Sequence, residues 1–269
     1  KTKAKELGMQ VVFEEEYGKA STDFSSMIIK IKARKPDMVI GGSYLPDSTA
    51  FMRQAKENRL YAKVFAFAVG PGLPDFGTNL GLDAEGVMGN TQWEPTLKLP
   101  GAREFSEKYK AKYGHEPGYH AGGGYGAGYV LEVAVKKAGS TDRNKVREAL
   151  FALDTVNAFG RFKVDATGKQ IGKPAYAVQW LNGERHIVLP ADAATGTFNV
   201  AVLSATTPRG ATGRCGTAPT TRSSRPSGPR SGVDFSHGPG GPGHRAGDPA
   251  PPDQKLLNSR SLFAVRLVR

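Results

Sequence analysis

Between residues 9 and 93 short apolar runs alternate with amphipathic helical segments, and that alternation leaves few folds open. Phe24, Met27, Ile28 and Ile31 recur at i, i+3, i+4 and i+7, one helical face behind the N-capping candidates Ser21, Thr22 and Asp23. Lys35, Pro36 and Asp37 close that helix, and Met38, Val39 and Ile40 run as a buried strand into Gly41, Gly42, Ser43 and Tyr44. Pro46 and Asp47 open a second helix reaching about residue 58, after which 63–69 reads as a strand, 70–74 as a Gly/Pro loop and 86–93 as a further strand. Residues 1–7 read as the end of a helix stopped by Gly8, and 9–13 as a short strand. Continuous apolar strands joined by helices predict an α/β chain with a parallel sheet covered on both faces.

The pattern then changes. Residues 100–113, 119–138 and 141–153 read as three helices with no strand between them, so they need a sheet that this stretch does not supply. Segments 161–164, 175–181 and 185–189 alternate as strands of an antiparallel edge, with Gly168 in one turn and Asn182-Gly183 as a type I′ hairpin signal. From Thr197 onward periodicity vanishes, and 19 of the last 73 residues are Gly or Pro, the level expected of an unfolded low-complexity segment.

That tail also explains most of the charge. It carries nine Arg and one Lys against three Asp, so more than half of the net +12 lies outside the globular part. The remaining lysines are interspersed with Glu along helices, which reads as a solvated surface and argues against a nucleic-acid partner. The single cysteine, Cys215, lies in the tail, leaving the globular part without thiol chemistry or a disulfide. No apolar run approaches the ~20 residues of a membrane span, and residues 1–8 do not read as a signal peptide. With no initiator Met, the chain reads as cut at the front.

Motifs for catalysis fail on context. Gly122, Gly124 and Ala127 match G-x-G-x-x-A, but Pro117, Gly118, Tyr119 and His120 precede them where a strand is required, so small residues for close helix packing are the reading. Ser43 follows a strand like a nucleophile elbow, yet Leu45 stands where the elbow needs Gly. His115, His120, His186, His237 and His244 show no metal-ligand spacing. No catalytic residue, metal or cofactor is expected. What remains is a set at the carboxyl ends of strands, where open α/β sheets hold ligands: Ser43 and Tyr44, residues 69–73 with Val69 and Pro71, then Gln92 and Trp93. Tyr and Trp there suit a small molecule, each offering an apolar face and one polar group.

Eight short motifs also occur in a telling order. They are Thr22-Asp23-Phe24-Ser25, Lys35-Pro36-Asp37, Arg53-Gln54-Ala55, Ala84-Glu85-Gly86-Val87, Trp93-Glu94-Pro95, Tyr113-Gly114-His115-Glu116-Pro117, Ala138-Gly139-Ser140, and Gln179-Trp180 with Asn182-Gly183. In this order they resemble the branched-chain amino acid (leucine/isoleucine/valine-binding) family of periplasmic binding proteins, the substrate-binding components of ABC importers, over residues 1–194. The resemblance implies a type I clamshell of three-layer α/β/α lobes, with the N-terminal part of the first lobe missing. Residues 1–90 would form the second lobe, 91–158 helices of the incomplete first lobe and 159–196 the return to the second lobe. Residues 197–269 would be a disordered tail. The family ends soon after the 188–190 segment, so we expect the coding sequence to shift reading frame near Gly196.

By the same resemblance the ligand-contacting residues would be Ser43, Tyr44, Val69, Pro71, Trp93, Tyr119, His120 and Tyr125. Tyr44 matches the cleft tyrosine, and alignment through Tyr125 places His120, with Tyr119 beside it, where an aromatic faces the ligand. The acidic residue that often pairs with a ligand ammonium has no counterpart between Val69 and Asp75. The implied job is capture of a branched-chain amino acid or related small amide, aromatic or organic-acid solute by a periplasmic, monomeric protein serving a membrane permease, without catalysis. A ligand-sensing receptor or regulator domain of the same fold is the alternative. A piece holding half of the cleft should bind weakly.

Overall fold

The computed structural model describes residues 2–200 and 259–267. A short helix α1 (Thr2–Glu6) leads into β1 (Met9–Gly18), α2 (Ser25–Ala33), β2 (Met38–Gly41), α3 (Leu45–Glu57), β3 (Val64–Phe67), α4 (Pro74–Leu80) and β4 (Met88–Thr91). There follow α5 (Ala102–Tyr113), α6 (Tyr119–Ala138), α7 (Arg143–Phe151), the hairpin β5 (Asp154–Asn157) and β6 (Gly160–Lys163), then β7 (Tyr176–Leu181), β8 (Glu184–Leu189) and, from the far end of the chain, β9 (Ser259–Leu267).

Seven strands form one sheet in the order β1-β9-β2-β3-β4-β7-β8. β2, β3 and β4 run parallel, as their apolar runs predict, while β7 is antiparallel to β4 and β8 to β7. The β7–β8 turn uses Asn182 and Gly183 at φ 56° and 81°, the two positive φ values that a type I′ turn demands.

Helices α2, α3 and α4 cover one face of this sheet. Met27, Ile28 and Ile31 from α2, Phe51, Met52 and Ala55 from α3 and Phe76 and Leu80 from α4 share a core with Val39, Phe65, Phe67, Leu262 and Ala264 of the strands. Tyr17, Phe24, Phe51 and Phe67 run through it as a chain of edge-to-face ring contacts 5.1 to 5.8 Å apart. On the opposite face Ile40, Ala66, Met88, Ala177 and Phe263 are only half-buried and line an apolar depression of about 340 Å³.

Three sequence expectations change. Residues 161–164 do not join the antiparallel edge: β6 pairs with β5 in a separate two-stranded sheet. The strand at 9–13 extends to Gly18, because β9 offers it a partner along its whole length. Most consequential, the tail is not featureless throughout. Ser259–Leu267 forms an inner strand of the main sheet, because Leu262-Phe263-Ala264-Val265 is a continuous apolar run fitted to a strand-wide gap between β1 and β2. Cys215, His237 and His244 lie outside the described residues.

Candidate functional site

Each candidate side chain is set by a strand end or a helix start. Beyond β2, Gly42 donates its N–H to Ser261 O at 2.8 Å and Ser43 O accepts from Val69 N–H at 3.0 Å, so the loops after β2 and β3 are tied together. Tyr44 caps α3, its N–H donating to Asp47 Oδ1 at 2.8 Å. The loop after β3 is a 3-10 turn, Gly70–Gly72, pressed against that cap: a Cβ at residue 70 would fall 1.9 Å from Ser48 Oγ and 3.0 Å from Tyr44 O, so only Gly fits. Pro71 O accepts from Trp180 Nε1 at 2.9 Å, anchoring the loop from below.

The start of α6 comes down on the same loop, with Gly118 facing Leu73 and Pro74. Tyr119 is partly buried there, and its phenol is pushed above the usual range first by that burial and then by the neighbouring Tyr44. His120 stacks on Tyr119 with ring centroids 4.1 Å apart and remains exposed. Ser43, Tyr44, Val69, Pro71, Tyr119 and His120 therefore gather around one junction of two loops and a helix start. Tyr44 is its open face, 52% exposed.

Trp93 and Tyr125 are held differently, in and beside a second buried cluster against which Tyr119 also packs. Trp93 is 1% exposed, with its indole N–H donating to Ala158 O at 2.6 Å and its ring against Phe105, so it serves as packing where the chain passes between segments. Tyr125 sits six residues beyond Tyr119, about 240° around the helix at 100° per residue, and stacks on Phe105 at 4.6 Å. The small-residue reading of the glycine motif is met at Gly122, whose Cβ position lies 3.0 Å from Trp93, while Gly124 faces open space.

Two groups escaped the sequence reading. Asp47, 2% exposed, accepts from Tyr17 Oη at 2.8 Å and pairs with Arg260 Nη1 at 2.6 Å, in addition to its bond from Tyr44 N–H. Burial, followed by Asp47, raises the Tyr17 phenol well above its ordinary value. Arg260 also lays its guanidinium 4.3 Å from the Tyr44 ring centroid. Nothing local in the Arg-rich tail marks Arg260 out from its neighbours; only the apolar run that follows it could have done so.

The second group lies where the chain crosses between segments. Glu94 pairs with Arg185 Nη2 at 2.8 Å, both nearly buried, and burial raises the Glu94 carboxyl although Arg185 opposes it. Lys173 Nζ donates to Gln92 O at 2.8 Å and Phe159 O at 3.1 Å and lies over the Phe159 ring. Burial draws its ammonium down to about 8, whereas the two carbonyls and the ring favour the charged form. A cavity of about 360 Å³ adjoins it between α6, α7 and the β5–β6 hairpin, lined by Val130, Leu131, Leu150 and Phe162 among others. Among the described residues no three His, Cys, Asp or Glu side chains come together as a metal site, and no helix is long and apolar enough to cross a membrane.

A junction of loops at the strand ends of an α/β sheet can be compared with known proteins. The periplasmic binding protein family model matches residues 1–185. A Leu/Ile/Val-binding protein homologue of Brucella abortus is 31% identical over 203 residues, covering 71% of this chain and 50% of the relative. The crystal structure of a leucine-binding protein from Thermotoga maritima superposes with a TM-score of 0.57 at 29% identity, covering 62% of this chain and 48% of that one. A solute-binding protein of an ABC transporter from R. palustris, solved with benzoate, shares the fold at 20% identity and a TM-score of 0.54, covering 62% of this chain and 46% of that one. The chain thus spans about half the length of the relatives it matches, with the fold of type I periplasmic binding proteins. On the match across residues 1–185, more than half of its length, the chain belongs to the periplasmic binding protein family.

Proposed function

We propose that this chain is part of the solute-capturing component of a periplasmic ABC importer. The whole protein would hold a branched-chain amino acid or a related small amide, aromatic or organic-acid solute between two lobes and hand it to a membrane permease. Closure of the lobes would be driven by the solute's better fit to the closed form. The observation that supports this reading most is the convergence of the loops after β2 and β3 with the start of α6, leaving half-exposed Tyr44 beside Tyr119. Tyrosine rings there would sandwich the apolar part of a small solute, and His120 would add a polar contact at the rim.

Electrostatics do not offer Asp47 as the partner of a solute ammonium. Asp47 already accepts from Tyr17, Tyr44 N–H and Arg260, so it is not open to a solute ammonium. Arg260, stacked on Tyr44, is held by the same ion pair, so the two side chains together add no net charge at the junction.

Saturation-transfer NMR on the chain with leucine, isoleucine, valine, benzoate and small amides tests the reading. We expect transfer from at least one of these solutes, at an affinity on the order of millimolar, with the signal lost in Tyr44→Ala. Silence from the whole panel, or a signal indifferent to Tyr44→Ala, would count against it.

A further inference from the structure

We propose that Glu94 and Arg185 are a positioning pair for the solute junction: through Trp180 and Pro71 they couple the segment after β4 to the loop that backs Tyr44. That the junction holds a solute rests on the reading above, whereas the coupling can be measured without one.

The pair is deeply set and incompletely held. Glu94 Oε2 accepts from Arg185 Nη2 at 2.8 Å, and the two side chains are 6% and 10% exposed. Thr91 is the other polar neighbour of the Glu94 carboxyl, but its hydroxyl donates to Trp93 O at 2.7 Å. Glu94 Oε1 and Arg185 Nε are buried with no hydrogen-bond partner among the described residues. Two buried charges that share one bond, each with an atom left over, are poorly compensated for the water they have lost, so the pair is sensitive to a proton on Glu94.

From Arg185 a chain of close contacts leads to the junction. Arg185 stands opposite Trp180 in the β7–β8 pairing, and its Cζ lies 5.7 Å from the Trp180 ring centroid. Trp180 Nε1 donates to Pro71 O at 2.9 Å. The 70–72 turn has no slack: a Cβ at residue 72 would fall 2.1 Å from Asn90 O, one at residue 89 would fall 2.7 Å from Pro71 Cβ, and one at residue 70 would fall 3.0 Å from Tyr44 O. On α4, a Cβ at residue 77 would fall 2.1 Å from the Trp180 ring. Packing this close passes a shift of the indole on to its neighbours.

A proton on Glu94 weakens the charge-assisted bond that orients the guanidinium beside that ring. Other charged groups surround the path. Lys173 is bound to Gln92 O and Phe159 O, Glu85 accepts from Asn182 and Gly183 N–H, and Glu184 and His186 flank Arg185 on β8. Each of these remains in Glu94→Gln, so that variant isolates the contribution of Glu94.

The test follows the two indole N–H signals of the ¹⁵N-labelled full chain by NMR from about pH 4 to 8, with Trp180→Phe for assignment. In the parent, the Trp180 indole and the Gly72 amide should titrate together with a midpoint above 4.5, the ordinary value for glutamate. Glu94→Gln should abolish that shared step while both indole signals stay resolved. In Arg185→Met the Trp93 amide should still follow Glu94 but the Trp180 indole should not, and the Trp180 indole proton should exchange with solvent about tenfold faster while that of Trp93 keeps its rate. A Trp180 signal that ignores pH in the parent overturns the proposal, as does a step that survives Glu94→Gln. Neither result bears on whether solutes bind, which the solute panel decides separately.

Discussion

Arg260, near the end of the chain, forms a 2.6 Å ion pair with Asp47 at the first turn of α3. Asp47 is 2% exposed and the Arg260 side chain 14%, so neither charge is well solvated, and each depends on the other and on the Tyr17 and Tyr44 hydrogen bonds. Removing one partner of such a pair leaves the other uncompensated, whereas removing both relieves the desolvation.

Asp47→Asn and Arg260→Met should therefore each lower stability by about 3 kcal/mol, and the double variant by clearly less than the sum. Urea unfolding of the four proteins gives the coupling; strict additivity would mean that the two side chains do not act as a pair.

The Tyr17 phenol is raised above its ordinary value of 10 by burial and then by Asp47. A raised group keeps its proton in the folded state where the unfolded chain releases it. Its stabilising contribution is thus complete below about pH 10 and is lost as pH rises beyond. Between about pH 9.5 and 11 the urea midpoint of the parent should fall more steeply than that of Tyr17→Phe, and parallel curves would contradict this assignment.

Glycines of α6 should divide by what they face. Gly124 meets open space, so Gly124→Ala should stabilise by about 0.5–1 kcal/mol through helix propensity. Gly126 would place a Cβ 2.6 Å from Phe159 Cβ, and Gly126→Ala should cost about 1–3 kcal/mol despite the same gain in propensity. Thermal melts of the two variants should shift in opposite directions.

Lys173 joins Gln92 O to Phe159 O and so clamps two passages of the chain between segments. Lys173→Met keeps the apolar stem but loses both hydrogen bonds, at a cost of about 2 kcal/mol. Because Trp93 donates to Ala158 O beside the same clamp, its near-ultraviolet circular dichroism should weaken in this variant. An unchanged spectrum would show that the passages are held without Lys173.

Candidate residues were legible where local geometry places them. Ser43 and Tyr44 follow β2 and Val69 and Pro71 follow β3, so recognising the strands was enough to bring them together. Trp93 was grouped with them because its position beyond β4 resembles theirs, whereas its burial depends on Ala158, a hydrogen-bond partner remote in sequence. Tyr125 shares a helix with Tyr119 but not a face.

By itself the sequence determined the elements whose causes are local. The i, i+3, i+4, i+7 spacing makes α2, the continuous apolar runs make β2 and β3, and Asn182-Gly183 makes the β7–β8 turn. Strand pairing is a different kind of decision, since a strand's hydrogen bonds belong to whichever neighbour has an unfilled edge and a matching covered face. Only the tertiary structure paired β6 with β5 and seated Ser259–Leu267 between β1 and β2. The run Leu262-Phe263-Ala264-Val265 lay within Gly-, Pro- and Arg-rich sequence, and its meaning came from a gap that α2 had already roofed.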